Sequence, residues 1–342
     1  MFQPKFSVSD LLLNNIKKIA IFTTELNRQS FSKTVLASFE KKANVLSTHT
    51  STSIEGNPLP LTEVKKLLKS RPENIRDTER EILNYNRILE EMNEKIKRGS
   101  IAIDIPFICC VQQEITTGLI EKFRCGKLRT EPIFVNDPRS GKTVYWSPDH
   151  RDVPKMMDNL IRFVKEKRGH IEPLILAGIF HKELVIIHPF MDGNGRTARL
   201  VAKALLADMG LNTFNLFSFE NYYNKNVAAY FQNVGILGNY YELSDTIDFT
   251  QWLEYFTGGI IDELLRVKKE LETELASPEL VLQSHHKKLL DFIKKNDFIT
   301  DRDYSKLTQR AKATRALDFK KLLEMDLIKR FGKGRLTHYK MK

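Results

Sequence analysis

Twelve consecutive residues carry the densest chemistry in the chain: His188, Pro189, Phe190, Met191, Asp192, Gly193, Asn194, Gly195, Arg196, Thr197, Ala198 and Arg199. Gly193-Asn194-Gly195 permits positive φ and close backbone approach, so successive N–H groups can turn inward as an anion nest. The nest opens a helix, whose free N–H groups and dipole favour phosphate. Arg196 and Arg199 stand three apart and share one helix face. Two guanidinium forks above a nest suit a polyphosphate ligand. Asp192 is a hard oxygen ligand beside the nest and suits Mg²⁺. His188 is the one side chain of the loop that can take a proton near neutral pH.

Two apolar helices must hold this loop. From about Ile171 to His188 the residues Leu174, Leu176, Ala177, Ile179, Phe180, Leu184, Val185 and Ile187 are apolar nearly all round, as in a buried central helix. A second helix is predicted from Arg196 through Leu200, Val201, Leu205 and Leu206 to Gly210. Upstream, Leu11, Leu12, Ile16, Ile19 and Ile21 open a helical pattern that Val35, Leu36 and Phe39 continue. Breaks fall at Gly56-Asn57-Pro58, at Arg71-Pro72 and at Gly99-Ser100. Pro132–Val135 and Thr143–Trp146 are β-branched and aromatic, with turn formers Asn136–Gly141 between them, and predict a β-hairpin.

The loop matches H-P-F-x-(D/E)-G-N-G-R-x-x-R, the signature of the Fic family, at every specified position. The chain therefore resembles the Fic/Doc superfamily of protein adenylyltransferases. The resemblance implies a mainly α fold, with a Fic-type helical core and a β-hairpin flap. It also implies transfer of AMP from ATP to a hydroxyl side chain of a target protein, with Mg²⁺ as cofactor and pyrophosphate released. Carried across, His188 deprotonates the hydroxyl, Phe190 anchors the loop and Asp192 holds Mg²⁺. Gly193, Asn194 and Gly195 form the phosphate nest, Arg196 reaches the α/β-phosphates and Arg199 pairs with the γ-phosphate. The hairpin would be the flap that docks the target by strand pairing through Ile133, Phe134 and Val135. Tyr222 and Tyr223 fall where the family often places tyrosines near the nucleotide; aromatic core is the other reading.

Ser51-Thr52-Ser53-Ile54-Glu55-Gly56 fits (S/T)-x-x-x-E-(G/N), the inhibitory motif of the same family. The resemblance implies that Ser51, Glu55 and Gly56 end an inhibitory helix and that Glu55 pairs with Arg199, withholding it from the γ-phosphate.

Charge sets the C-terminal part apart. The chain has 54 Lys+Arg against 43 Asp+Glu, net +11. Residues 281–342 alone hold 17 against 7, net +10, which leaves +1 for the rest. Three predicted helices and a basic hairpin make this part resemble a winged helix. Leu289, Leu290, Phe292 and Ile293 face its core, as do Ala316, Leu317, Phe319, Leu322 and Leu323. Lys312, Arg315, Lys320 and Lys321 lie on or near the third helix, and Lys333 and Arg335 at the wing, where DNA could be met. Protein docking is the other reading. The domain expectation is 1–95 for the N-terminal helical region, 96–275 for the catalytic core and 281–342 for the winged helix, with a linker at Ala276–Glu279.

Two readings of function follow from different classes. One is an adenylyltransferase restrained by Glu55, acting on the Ser, Thr or Tyr of a target or on itself. The other is a DNA-binding regulator whose loop senses nucleotide. Removal of AMP or transfer of another phosphate-containing group stays open, because a phosphate nest does not read the base. A homodimer is compatible with everything above. Cys109, Cys110 and Cys125 form no C-x-x-C, which points to a reducing cytoplasm and away from a disulfide or cysteine–zinc framework. No run nears the ~20 apolar residues of a membrane span. His181 is too far along its helix to share a metal with His188, by about 10 Å. His285 and His286 are expected to be surface residues of a basic helix.

Overall fold

The apolar runs become helices. The computed structural model describes residues 2–28, 33–70, 72–99, 101–136, 141–209, 218–276, 282, 284–325 and 327–342. The turn residues Asp137–Ser140, the linker residues Ser277–Glu279, Arg71, Ser100, Gly210 and the side chain of Arg335 lie outside them. In chain order the helices α1 (Asp10–Arg28), α2 (Lys33–Ile54), α3 (Leu61–Leu67), α4 (Asp77–Arg98) and α5 (Ile105–Thr116) precede strands β1 (Phe134–Asn136) and β2 (Thr143–Trp146). Next come α6 (Val153–Lys167), α7 (Pro173–Ile187), α8 (Asn194–Asp208), α9 (Glu220–Lys225), α10 (Val227–Val234), β3 (Gly238–Asn239), α11 (Tyr240–Leu243) and α12 (Thr250–Ala276). The C-terminal stretch holds α13 (Ser284–Asn296), α14 (Asp301–Leu307), α15 (Lys312–Glu324), β4 (Ile328–Phe331) and β5 (His338–Met341). No helix among the described residues is long and apolar enough to cross a membrane.

The chain forms two compact units. One comprises Met1–Ser30 and Ser38–Val267, the other Phe31–Ala37 and Lys268–Lys342. The first takes in most of the stretches 1–95 and 96–275 that the sequence suggests as separate, while Phe31–Ala37 and the residues from Lys268 on fall in the second. The reason is burial: α4 sinks Ile82, Tyr85, Ile88, Leu89 and Met92 against α5 and α8. Each such side chain taken from water contributes about 1.5–3 kcal/mol. At the centre lies α7, buried along nearly its whole length and packed on α8 and α6. In α1 the inward face is Leu12, Asn15, Ile19 and Thr23, while Leu11 and Ile21 are exposed. A helix repeat of 3.6 cannot bury Leu11 and Leu12 together with Ile19 and Ile21 on one stripe.

The hairpin is present, and it is part of a larger sheet. Strands β1 and β2 pair antiparallel, with Val135 opposite Tyr145, and β3 adds parallel to β2 in the order β1-β2-β3. Ile133 stands just before β1 rather than in it.

The second unit is built on Leu289, Leu290, Ile293, Ile299, Tyr304, Phe319, Leu322 and Ile328. Thr300 caps α14 reciprocally with Asp303, and Ile299 bridges to Tyr339 of the β4–β5 hairpin. Ala316 and Leu317 are exposed, against the sequence expectation, and Asp318 is buried in their place. Helical spacing explains it, since Asp318, Phe319 and Leu322 share one stripe that excludes the residues just before them. His285 and His286 also depart from expectation: His286 is only 2% exposed.

Candidate active site

Helix α7 ends abruptly at His188, which takes left-handed backbone angles, φ 51° and ψ 59°. That conformation costs a non-glycine residue of order 1–3 kcal/mol, so its surroundings must impose it. They do so through Arg129. Its Nε donates to the His188 carbonyl at 2.8 Å, and its backbone N–H to the Pro189 carbonyl at 2.9 Å. The same guanidinium reaches the carbonyls of Glu131 at 3.0 Å and Pro148 at 2.5 Å. One buried arginine thus ties the roots of the β1–β2 flap to the shoulder of the loop. Tyr145 of β2 makes a second tie, donating to the Ile186 carbonyl at 2.8 Å.

Because Nδ1 of His188 lies 3.0 Å from the Val185 carbonyl, Nδ1 carries the proton and Nε2 is the basic nitrogen. Burial lowers the imidazole pKa below its ordinary value, against the opposite pull of the Val185 carbonyl and of Glu55. The ring is therefore neutral, as a proton acceptor must be.

Beyond His188 the loop is pinned from within. Phe190 is fully buried. Asn194 Oδ1 accepts from the Phe190 N–H at 2.9 Å, and its Nδ2 donates to the Phe190 carbonyl at 2.8 Å. The Asn194 side chain thus shapes the loop. Gln112 donates to the Asp192 carbonyl at 3.0 Å. Gly193 caps α8 with φ 81°, where a side chain would be strained.

Both arginines of the loop meet carboxylates. Arg199 is wholly buried: Nη2 donates to Glu55 Oε1 at 2.7 Å and to the Ser51 carbonyl at 2.8 Å, and Nε to Ser51 Oγ at 2.7 Å. Nη1 reaches Tyr230 Oη at 3.2 Å, and that hydroxyl meets His181 Nε2 at 3.2 Å. A Cβ placed on Gly195 would collide with Glu55 Oε1, so the Glu55 carboxylate lies over the first turn of α8. An anion is favoured at that helix end. Arg196 is bound from two sides, by Glu81 Oε1 at 2.5 Å and by Asp192 at 3.0 and 2.9 Å. Burial raises the Glu81 pKa, with Arg196 pulling the other way. Asn57 steadies Glu81, donating to Oε2 at 2.7 Å.

Glu55 owes its position to an unusual helix. The buried face of α2 includes Ser47, Thr48, Thr50, Ser51 and Thr52. Thr50 and Thr52 satisfy themselves on carbonyls four residues back, at 2.8 Å each. Ser47 donates to Glu220 at 3.2 Å and accepts from Lys203 at 3.4 Å. Gly56, at φ 98°, then turns the chain out of the helix.

The loop residues and Glu55 come together as the resemblance implies, and the two tyrosines lie in an aromatic cluster that reaches Arg199 through Tyr230. Tyr223 has no exposed surface and stacks on Tyr230 at 4.7 Å between ring centres. Tyr222 packs on Tyr255 at 5.2 Å. Aromatic packing claims both rings. Glu81, Arg129, Gln112 and Tyr230 escaped the sequence reading. Their partners lie tens to more than a hundred residues away, and no local pattern surrounds them; only Asn57, beside the Glu55 motif, offered a hint.

Residues 102–206 match the Fic/DOC family, a stretch that contains α5, the flap, α7 and the loop. This segment is a Fic domain. The chain is similar to "Protein adenylyltransferase Fic" of Nematostella vectensis, 29% identical over 164 residues, covering 47% of this chain and 36% of that protein. It is similar to the protein of the same name from Aedes aegypti, 26% identical over 190 residues, covering 54% and 36%. The chain thus spans about a third of the length of these curated relatives. Among solved structures, a Fic family protein from Desulfovibrio desulfuricans G20 aligns over 100% of this chain and 98% of that one, with a TM-score of 0.67 and 18% identity. Fic-1 from C. elegans aligns over 78% and 74%, with a TM-score of 0.59 and 19% identity. The Fic fold of the chain rests on these likenesses and on the helical core around α7 and α8.

Proposed function

We propose that the chain is a protein adenylyltransferase that transfers AMP from ATP to a Ser, Thr or Tyr hydroxyl and is restrained by its own Glu55. The observation that carries this reading is the pairing of a neutral, Nδ1-anchored His188 with a phosphate nest whose second arginine is engaged by Glu55. His188 Nε2 takes the proton of the hydroxyl as its oxygen bonds to the α-phosphorus of ATP. The bond from that phosphorus to the bridging oxygen breaks, and pyrophosphate leaves. The N–H groups at Gly193–Gly195 and the Arg196 guanidinium stabilise charge on the phosphates. Relatives named protein adenylyltransferase support this reaction class.

Mg²⁺ fits the site by donor chemistry. The Asp192 side chain is 46% exposed and accepts from Arg196 Nη2, which leaves acceptor capacity on a hard oxygen ligand. Asp192 would hold the ion, which would neutralise phosphate charge.

Glu55 restrains the enzyme by holding Arg199, which would otherwise meet the γ-phosphate. The target segment would pair with the outer edge of β1, beside exposed Phe134 and Trp146. Mass spectrometry of the protein after incubation with ATP and Mg²⁺ tests the reading: a gain of one AMP on a hydroxyl residue is the expected outcome. Absence of any AMP adduct on the chain and on candidate targets, for wild type and Glu55→Gly alike, would refute it.

A second reading draws on the C-terminal unit. Lys312, Lys320, Lys329, Arg330 and Lys333 are exposed there, which suits a phosphate backbone. Arg315 is already held by Asp301 at 2.8 and 2.9 Å. A salt-dependent DNA shift by the full chain tests this reading.

A further inference from the structure

The C-terminal unit contains a second cluster of ligating side chains, independent of the Fic loop. His285 and His286 stand on the first turn of α13, and Asp318 lies midway along α15. Adjacent helical residues point about 100° apart, yet these two rings converge, with centres 4.2 Å apart. Their Nε2 atoms lie 3.4 Å and 3.3 Å from the same oxygen, Asp318 Oδ1. One ligand atom from each of the three residues falls within 4.8 Å of the others.

Hydrogen bonding does not account for the arrangement. Neither Nε2 forms a hydrogen bond, and Nδ1 of His286 has none either. His286 is 2% exposed and Asp318 4%. Leaving such atoms without a hydrogen bond is costly, and in a buried histidine it calls for an explanation. The distances supply one. A tetrahedral ion with bonds of about 2.0–2.1 Å to nitrogen and oxygen spaces its ligand atoms about 3.3–3.4 Å apart. Both nitrogen–oxygen separations match that edge.

We propose that His285, His286 and Asp318 form a binding site for a zinc-class divalent cation that pins α13 to α15. Imidazole nitrogen with carboxylate oxygen favours Zn²⁺ over Mg²⁺ or Ca²⁺. Three protein ligands leave the fourth position to water. The surrounding groups orient the carboxylate. Tyr304 donates to Oδ2 at 2.9 Å, and Arg310 Nε pairs with the same oxygen at 2.9 Å. Arg310 Nη2 also reaches Oδ1, at 3.2 Å. An ionised carboxylate offers about four lone-pair sites, so Oδ1 retains one for the ion.

The test uses the full chain without an affinity tag, stripped by chelator and titrated with Zn²⁺ alone. Calorimetry is expected to show one equivalent bound, and Co²⁺ in place of Zn²⁺ should give tetrahedral visible bands. At about 100 times its Kd, Zn²⁺ should raise the melting temperature of the C-terminal transition by roughly 10 °C. His286→Gln and His285→Ala should each weaken binding by about 100-fold or more, since even groups behind the ligands are worth 10–100-fold. Should His286→Gln fail to fold, His285→Ala decides, because that ring is on the rim. Absence of Zn²⁺ binding to wild type, or unchanged affinity in His285→Ala, overturns the proposal.

Discussion

Around Arg199 and around Asp318 the two units solve opposite problems. At Arg199 the buried charge is a cation, and the anion that balances it, Glu55, comes from a helix end 144 residues away in sequence. At Asp318 the buried charge is an anion, held by Tyr304 and Arg310 within 14 residues of it, with His285 and His286 facing the same carboxylate. The first balance is reversible in principle. Glu55 keeps 27% of its side chain exposed while Arg199 keeps none, so one partner can leave and a phosphate can replace it. At the second, Asp318 and His286 are nearly sealed, while Arg310 keeps 34% of its side chain exposed.

The largest expected effect strikes the loop. His188→Ala should cost about 10²–10⁴-fold in AMP transfer, the usual loss of a general base, with ATP binding retained. Near-normal labelling by this variant would remove His188 from the chemistry.

Asp318→Asn should act on stability and leave transfer untouched. Removing one partner of a buried ion pair destabilises by about 3–5 kcal/mol. Denaturation of the full chain should show an early transition while AMP transfer keeps its rate. A loss of rate without loss of stability would show that the two clusters are functionally joined.

Glu55→Gly should raise the rate by about one to two decades, the scale of a charge-assisted bond worth 1.5–3 kcal/mol. The gain should vanish in Glu55→Gly/Arg199→Ala. An unchanged rate in a folded Glu55→Gly protein would make this contact structural, like that at Asp318.

Glu81→Gln should give a smaller gain, several-fold, because Arg196 keeps Asp192 when Glu81 loses its charge. A gain equal to that of Glu55→Gly would mean that both arginines are withheld equally.

The finest test is the pH profile of kcat/KM. Burial depresses the His188 pKa, so the neutral base persists as pH falls, and the acid limb should lie below the ordinary imidazole value of about 6.5. Fitting the acid limb of the Glu55→Gly enzyme, where chemistry is fastest, measures it. A limb above 6.5 would mean that a neighbouring carboxylate outweighs burial.

Sequence alone determined the parts that are local. The order of the loop residues dictates a nest, a helix start and two arginines on one face, because glycine freedom and helical periodicity act over a few residues. The same holds for α7, whose all-round apolar surface required a central position, and for the Glu55 motif ended by Gly56. Tertiary structure decided what lies far apart along the chain. It merged the N-terminal helices with the Fic core, chose Glu81 as partner of Arg196 across 115 residues and set Arg129 against the His188 carbonyl across 59. It also packed the two tyrosines at 222 and 223 among other aromatic rings, buried His286 where a surface position was expected, and buried Asp318 in place of Ala316 and Leu317. Charge and polarity state how much a side chain favours water, but only the packed neighbours decide whether hydrogen bonds and ion pairs can replace that water.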